Sequence, residues 1–422
     1  MKLISTSSRK GQAQLAALFS RRSAGYDRAI PAAQRIICAV RRGGDATLRR
    51  YAARLDHLSQ QDKLRISLGE MSEAANAIPA EFKRALQVAA RNIRAFAVRQ
   101  RPKDWDFAPA RGVTVGQRVR PIDAVGCYVP SGRYPLPSTL LMTVIPAQVA
   151  GVERIVVASP RPAPETLAAA AMLGVTEFYR IGGAQAIAAL AYGTQSISSV
   201  DKIVGPGNAY VTAAKKLVAF DCAIDMLAGP TEIVVTSENG KPAWIAADLV
   251  AQAEHDPDAL AIFVTTTVTL ARAVMIEVTR QARSNSTASE SLRRNGMAIV
   301  ARSIDEAHEI TNRLAPEHLT VDSEADLTWV RNAGSVFIGP WSAQPLGDYI
   351  SGPNHTLPTG GLARARGGLS VMDFLKIITV QEYQPEGVRE LVPAAIALAE
   401  AEGLRGHAEA IRRRTATGGA SG

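Results

Sequence analysis

Residues 177–190 read E-F-Y-R-I-G-G-A-Q-A-I-A-A-L. The first five have the aromatic and branched content of a short buried strand, two glycines follow, and from Ala184 the chain is small, apolar and helix-forming. A strand that passes through a glycine turn into a helix is half of a β-α-β unit. Its neighbours repeat the arrangement. A helical stretch at Ser138–Ala150 precedes the strand R-I-V-V-A-S at 154–159, Glu165–Leu173 precedes Glu177, and Ala184–Leu190 precedes V-D-K-I-V-G at 200–205, with a further helix over Asn208–Val218. Such alternation predicts a parallel sheet covered by helices.

A second series follows the same plan: E-I-V-V-T-S (232–237), a helix begun by Pro242, L-A-I-F-V-T-T (260–266), a helix near 270–280, A-I-V-A (298–301), a helix near 304–314, L-T-V (319–321) and S-V-F-I-G (335–339). Residues 30–102 are periodic in the helical manner and are expected to pack with this second series. Strand-like V-T-V-G-Q-R-V-R-P-I (113–122) and A-V-G-C-Y-V-P (124–130) come next, and helices return beyond Val371. A chain of 422 residues exceeds one ordinary core, so two or more domains are expected.

Composition narrows the classes. The net charge is +9, but the basic residues are spread beside 39 acids, and the runs Arg21-Arg22 and Arg412–Arg414 lack interleaved aromatics. They read as solvated faces, so no nucleic-acid partner is expected. The start, M-K-L-I-S-T-S-S-R-K-G, has no apolar signal core, and no stretch supplies the ~18 consecutive apolar residues of a membrane span. Three widely spaced cysteines, Cys38, Cys127 and Cys222, argue against a disulfide framework. A cytoplasmic protein is expected.

Chemistry-bearing residues gather in a few places. Gly182-Gly183 and Gly205/Gly207 form strand-to-helix turns of the kind that offers backbone N–H groups to a nucleotide pyrophosphate, although tight turns need glycine without any ligand. On the helix after Pro242, the apolar stripe of Ile245 and Leu249 is continued by Gln252 and His255, whose spacing puts an amide oxygen and an imidazole within reach of one divalent metal. A polar, solvated helix end is the plainer reading. Glu317-His318 resembles an acid/base couple, with Pro316 supplying the turn that lets both neighbours serve one site. Asp348, in P-L-G-D-Y-I-S-G, follows the strand S-V-F-I-G, where α/β sheets place ligand-binding residues; as a turn aspartate it needs no ligand. His355 and His407 lie in similarly polar settings, whereas His57 and His308 read as ordinary surface residues.

These stretches, together with D-W-D-F (104–107), V-G-C-Y-V-P-S-G (125–132), D-M-L-A-G-P-T-E-I-V-V (225–235), G-D-Y-I-S-G-P-N-H-T-L-P-T-G-G (347–361) and A-E-G-L-R-G-H-A-E-A-I (401–411), resemble the histidinol dehydrogenase family in order and over nearly the whole chain. The resemblance implies an α/β fold of two incomplete Rossmann-like parallel-sheet domains, with small helical terminal segments swapped in an interlocked homodimer. Domains are then expected at 128–231 for NAD, at 25–127 joined to 232–370 for metal and catalysis, and at the terminal segments 1–24 and 371–422. It implies oxidation of L-histidinol to L-histidine by way of L-histidinal with two NAD, the last step of histidine biosynthesis. One zinc per subunit would be held by Gln252, His255, Asp348 and, from the partner's tail, His407. His318 would be the base and Glu317 the activator of water. Thr231, His355 and Glu402 would join His318 and the metal ligands in contacting the substrate, while Tyr128, Gln185 and Asn208 would contact NAD. Thr231 stands where the family often has serine, and P-S-G-R-Y-P-L-P-S-T-L-L-M (130–142) and R-A-R-G-G-L-S (364–370) depart from the commoner versions. A related enzyme acting on another polar alcohol is therefore the alternative. Cys127 reads as strand packing, because a hydrate route to the acid needs no thiol.

Overall fold

The computed structural model describes residues 1–20, 28–59, 61–131 and 134–415. The Arg21-Arg22 run and the Gly/Ser-rich tail lie outside them. By compactness the chain divides into a larger unit, Met1–Gln100 with Ile122–Phe374, and a smaller one, Arg101–Pro121 with Leu375–Gly422. The strands, in chain order, are β1 (Lys2–Ser5), β2 (Arg65–Ile66), β3 (Trp105–Ala110), β4 (Val113–Pro121), β5 (Ala124–Tyr128), β6 (Arg154–Ala158), β7 (Glu177–Tyr179), β8 (Lys202–Val204), β9 (Ala223–Ile224), β10 (Glu232–Thr236), β11 (Leu260–Thr265), β12 (Met297–Val300), β13 (His318–Val321), β14 (Ser335–Ile338) and β15 (Leu375–Tyr383).

The larger unit holds two six-stranded sheets of the same design. The first runs β2-β7-β6-β5-β8-β9 and the second β1-β12-β11-β10-β13-β14. In each, the first strand of the series is central, the chain winds outward through two more strands, an edge strand from earlier in the chain closes that side, and the last two strands return to the other side. All pairings are parallel except that of β2 with β7. The strand–helix alternation in the sequence is thus the fold, and its doubling makes two sheets.

The structure departs from the sequence reading in four places. The N-terminal segment opens with β1, which pairs with β12 from Lys2↔Met297 to Ser5↔Val300. Helix Ile30–Asp56 buries Ala33, Ile37, Val40, Leu48 and Ala52 against Tyr128, Val156, Tyr179 and Ile187, so it belongs to the first sheet's core and not to the second's. Helices Leu68–Ala77 and Ala80–Gln100 pack on Pro164–Met172 and Pro137–Ala150, on the same sheet. Strand β15 precedes the C-terminal helices, because its branched residues find a partner in β4 across the chain.

The smaller unit is an antiparallel sheet, β15-β4-β3, with helices Pro385–Ala401 and Arg405–Thr415 packed on each other. Among the described residues no helix is long and apolar enough to cross a membrane.

Candidate active site

Glu317 and His318 lie where helix Ile304–Leu314 gives way to β13. Ala315 stops that helix in the left-handed region at φ 49°, and Pro316 follows, so the chain turns sharply into the sheet. The turn at Ala315 brings both side chains to one place: Glu317 Oε2 lies 3.7 Å from His318 Nδ1. Both residues are buried. β10 fixes them from alongside. The Glu232 N–H donates to Glu317 Oε2 at 2.7 Å, and the Glu232 carbonyl lies 3.2 Å from His318 Nδ1. A carbonyl can only accept, so the neutral ring carries its proton on Nδ1 and presents the lone pair of Nε2. Nε2 faces Asp348 Oδ1 at 3.4 Å.

Around this pair runs a chain of polar side chains. The Gln252 amide donates to the Thr231 hydroxyl, which donates to Glu317 Oε2. The hydroxyl that Thr231 shares with serine is therefore in use. The other Asp348 oxygen accepts from Gln344 Nε2 at 2.7 Å, and the Asp348 carbonyl lies 2.8 Å from His355 Nδ1. His355 Nε2 lies 3.3 Å from the Thr139 hydroxyl.

Burial and charge act against each other here. Burial raises the Glu317 carboxyl above its usual range, more than the charge of His318 and the Thr231 and Glu232 hydrogen bonds lower it. Burial disfavours charged His318, yet the Glu317 and Asp348 carboxylates win and raise it. Asp348 is held low: burial opposes its charge, but His318, His355 and Gln344 outweigh that. His355 is lowered by burial despite Asp348 beside it.

The sequence reading put Asp348 at the carboxyl edge of its sheet. The structure corrects this. Thr231, Glu232, Glu317 and His318 all stand at the amino ends of β10 and β13, and helix Gln344–Tyr349, in place of the expected loop, returns Asp348 to that same edge. Helix Pro242–Ala253 runs antiparallel to the strands, so its last turn delivers Gln252 there too. The carboxyl edge of the second sheet is closed from within. Glu238 accepts from Thr266 N and from the hydroxyls of Thr265, Thr266 and Thr267, and Asp322 accepts from Glu238 N.

The donor set suits a metal. Gln252 is 1% exposed and its Oε1 has no hydrogen-bond partner, while its amide nitrogen is committed to Thr231. The Nδ1 of exposed His255 lies 3.0 Å from the Ala251 carbonyl, which fixes the tautomer and leaves Nε2 to a ligand, and the charge of His255 is felt at His355. An amide oxygen, an imidazole nitrogen and a carboxylate fit zinc or a neighbouring divalent ion. No group of three or more His, Cys, Asp or Glu gathers among the described residues. His407 is exposed on helix Arg405–Thr415 and Glu402 caps helix Pro385–Ala401, both in the smaller unit.

The three residues expected to contact NAD lie at the carboxyl edge of the first sheet. Tyr128 ends β5, Gln185 lies in the first turn of helix Gly183–Tyr192, and Asn208 caps Ala209–Val218 by accepting from Tyr210 N and Val211 N. Of the two readings of the glycine turns, a phosphate seat and a plain tight turn, the second accounts for Gly182, Gly183 and Gly205, whose N–H groups are taken. Gly182 N donates to Asp56, Gly183 N to the Tyr128 hydroxyl and Gly205 N to Asp225, which is paired with buried Lys215. Gly205, at φ 110°, has no room for a side chain, since a Cβ would stand 2.1 Å from the Tyr128 carbonyl oxygen. Cys127 is packed and its thiol pushed up to about 12 by burial, which leaves it without nucleophilic character.

A family model for histidinol dehydrogenase matches residues 19–415. The chain belongs to the histidinol dehydrogenase family. It is similar to the histidinol dehydrogenase of Methanothermobacter thermautotrophicus, 48% identical over 90% of this chain and 92% of that one. The histidinol dehydrogenase of Gluconobacter oxydans is 44% identical over 98% and 99%. The crystal structure of histidinol dehydrogenase from Elizabethkingia anophelis superposes with a TM-score of 0.92 at 35% identity, covering 98% of both chains. The protein is accordingly an oxidoreductase enzyme of histidine biosynthesis.

Three positions that the sequence reading missed support the candidate site. Glu232, at the head of β10, accepts from Gly360 N at 3.0 Å, and its carboxyl is pushed up to about 8 by burial and by Glu317. Asp248, raised to about 6 by burial, accepts from the backbone N–H of Gln344 and so joins helix Pro242–Ala253 to the helix of Asp348. Gln344 itself orients Asp348. A carboxylate heading an apolar strand is the one signal that could have drawn attention to Glu232.

Proposed function

We propose that the protein oxidises L-histidinol to L-histidine through L-histidinal with two NAD, as a homodimeric cytoplasmic enzyme carrying one zinc per subunit. The observation that carries this reading is the convergence of Glu317, His318, Asp348, Thr231 and Gln252 at one amino edge, with a buried, unpartnered amide oxygen beside them. Gln252, His255, Asp348 and His407 of the partner subunit would hold the zinc, which when bound acts as a Lewis acid that fixes the substrate's imidazole and amine. Tyr128, Gln185 and Asn208 would hold NAD, which supplies the hydride acceptor when bound.

His318 Nε2 takes the alcohol proton as the carbinol carbon gives up hydride, leaving aldehyde. Glu317 binds both of its observed donors through Oε2, so Oε1 is the oxygen available to take a proton from water. His318 passes its first proton to solvent, and addition of that water gives the hydrate, from which His318 accepts the second proton as the second hydride leaves, and the carboxylic acid results. Each molecule of alcohol therefore reduces two NAD and adds one water oxygen. Thr231, His355 and Glu402 would contact the substrate, His355 being kept neutral by burial.

A dimer is supported by the smaller unit's exposed Trp105, Phe107, Ile377, Ile378 and Leu398. Free Cys38, Cys127 and Cys222 suit a reducing compartment. The test is a stoichiometric assay: purified zinc-loaded protein with L-histidinol and NAD should give two NADH per L-histidine. One NADH per turnover with accumulating aldehyde, or no reaction with histidinol beside turnover of another amino alcohol, would favour the related enzyme.

A further inference from the structure

Helix Gly183–Tyr192 starts at the carboxyl edge of the first sheet, where dinucleotide folds seat a pyrophosphate on the free N–H groups. Here that end already holds an anion. Asp56, 7% exposed at the end of helix Ile30–Asp56, takes Gly182 N at 2.9 Å and Gln185 Nε2 at 3.0 Å on the same oxygen, Oδ2. The Gly183 N–H goes to Tyr128. A carboxylate can only accept, so it fixes which way the Gln185 amide points: nitrogen to Asp56, oxygen away from it. That oxygen is fully buried, has no partner, and lies 2.8 Å from where a Cβ on Gly183 would stand. The charges felt at Asp56 are those of Arg161 and His57.

We infer that Asp56 is a positioning residue of the cofactor site, which converts the amino end of this helix from a phosphate seat into a seat for a hydrogen-bond donor of the nucleotide. The donor is a ribose hydroxyl or the nicotinamide carboxamide, received by Gln185 Oε1. The inference rests on the reading that Tyr128, Gln185 and Asn208 hold NAD. A phosphate placed there would meet the Asp56 carboxylate and find both glycine N–H groups taken.

The experiment is calorimetric titration of the zinc-loaded protein with NAD, without alcohol, for the wild type, Asp56→Ala, Gln185→Ala and the double variant. Each single change should weaken NAD on the order of tenfold, the worth of one buried hydrogen bond. The double variant should lose about the same tenfold, since both remove one interaction. Asp56→Asn can place its amide oxygen where Oδ2 stands, and should bind NAD within about threefold of the wild type. A double loss near the product of the single losses would overturn the inference, as would Asp56→Ala at wild-type affinity beside a weakened Gln185→Ala. If Gln185→Ala itself binds NAD normally, the cofactor reading of that residue falls, and the inference with it.

Should Asp56→Ala not fold, Gln185→Glu serves instead. Setting two carboxylates face to face, it should weaken NAD on the order of tenfold or more, and wild-type affinity for NAD in this variant would overturn the inference. The 3-acetylpyridine analogue of NAD, which lacks the carboxamide N–H, separates the two donors. Weak binding to the wild type but no further loss in Gln185→Ala assigns the carboxamide. Wild-type affinity equal to that of NAD, lost in Gln185→Ala, assigns the ribose.

Discussion

Replacing Glu232 by glutamine should make the protein more stable at alkaline pH while leaving it nearly unchanged at pH 5. Glutamine keeps an oxygen for the Gly360 N–H at 3.0 Å, so the change removes a titration and little else. In the folded chain the Glu232 carboxyl is raised from 4.5 to about 8. Between those values the folded state holds a proton that the unfolded state has lost, so the stabilising contribution is complete below about 4.5 and disappears as pH rises through about 8. A separation of about 3.5, at about 1.4 kcal/mol for each pKa unit, sets a ceiling near 5 kcal/mol. Glu232 is only half-buried and shares its titration with Glu317, so about 2 kcal/mol is the working figure. Urea unfolding of metal-free wild type and variant at pH 5, 7 and 9, followed by the fluorescence of Trp329 against the second sheet, reads the difference. The gap should open with rising pH in favour of the variant. A gap constant to within about 0.5 kcal/mol, or one that opens the other way, would show that Glu232 ionises freely in the folded chain.

Other outcomes follow from the same geometry. His255→Ala should lose zinc and activity together, which metal analysis after gel filtration checks; full zinc occupancy would remove His255 from the ligand set. Glu317→Gln should slow oxidation of supplied L-histidinal on the order of 10²- to 10⁴-fold and the alcohol step less; equal losses would leave a single base doing both. Lys215→Met leaves Asp225 buried without its cation and should cost about 3–5 kcal/mol in urea unfolding. A loss below about 1 kcal/mol would mean that Gly205 N and Met226 N satisfy Asp225 unaided.

Periodicity made the two α/β series legible because it is written into adjacent residues, and helix limits such as Ile304–Leu314 agree with it. The pairing of β1 was illegible, since four residues at an edge carry no periodic signal and their partner lies at Met297–Val300. Whether the glycine turns are open was illegible, because a turn shows its glycines and not the distant carboxylates, Asp56 and Asp225, that take the N–H groups of Gly182 and Gly205. The polar residues of the site were legible as types, and Gln252, Thr231, Glu317, His318, Asp348 and His355 come together. The edge on which they gather was not legible, because it depends on how helix Gln344–Tyr349 folds back, and Pro345 and Gly347 gave that segment the look of a loop.

The pairing of β1 with β12 also orders the birth of the molecule. Every strand of the first sheet lies between these two in sequence, so the whole of that sheet is an insertion within the second. On the ribosome the first sheet has all its strands once Ile224 has emerged, whereas Lys2–Ser5 must wait for residue 297 to find its neighbour. Until then the opening strand is a loose end, and a finished second sheet that lost it would expose β12 as an unpaired margin. The first few residues thus act as a closing seam for a sheet whose other strands are made after every strand of the first.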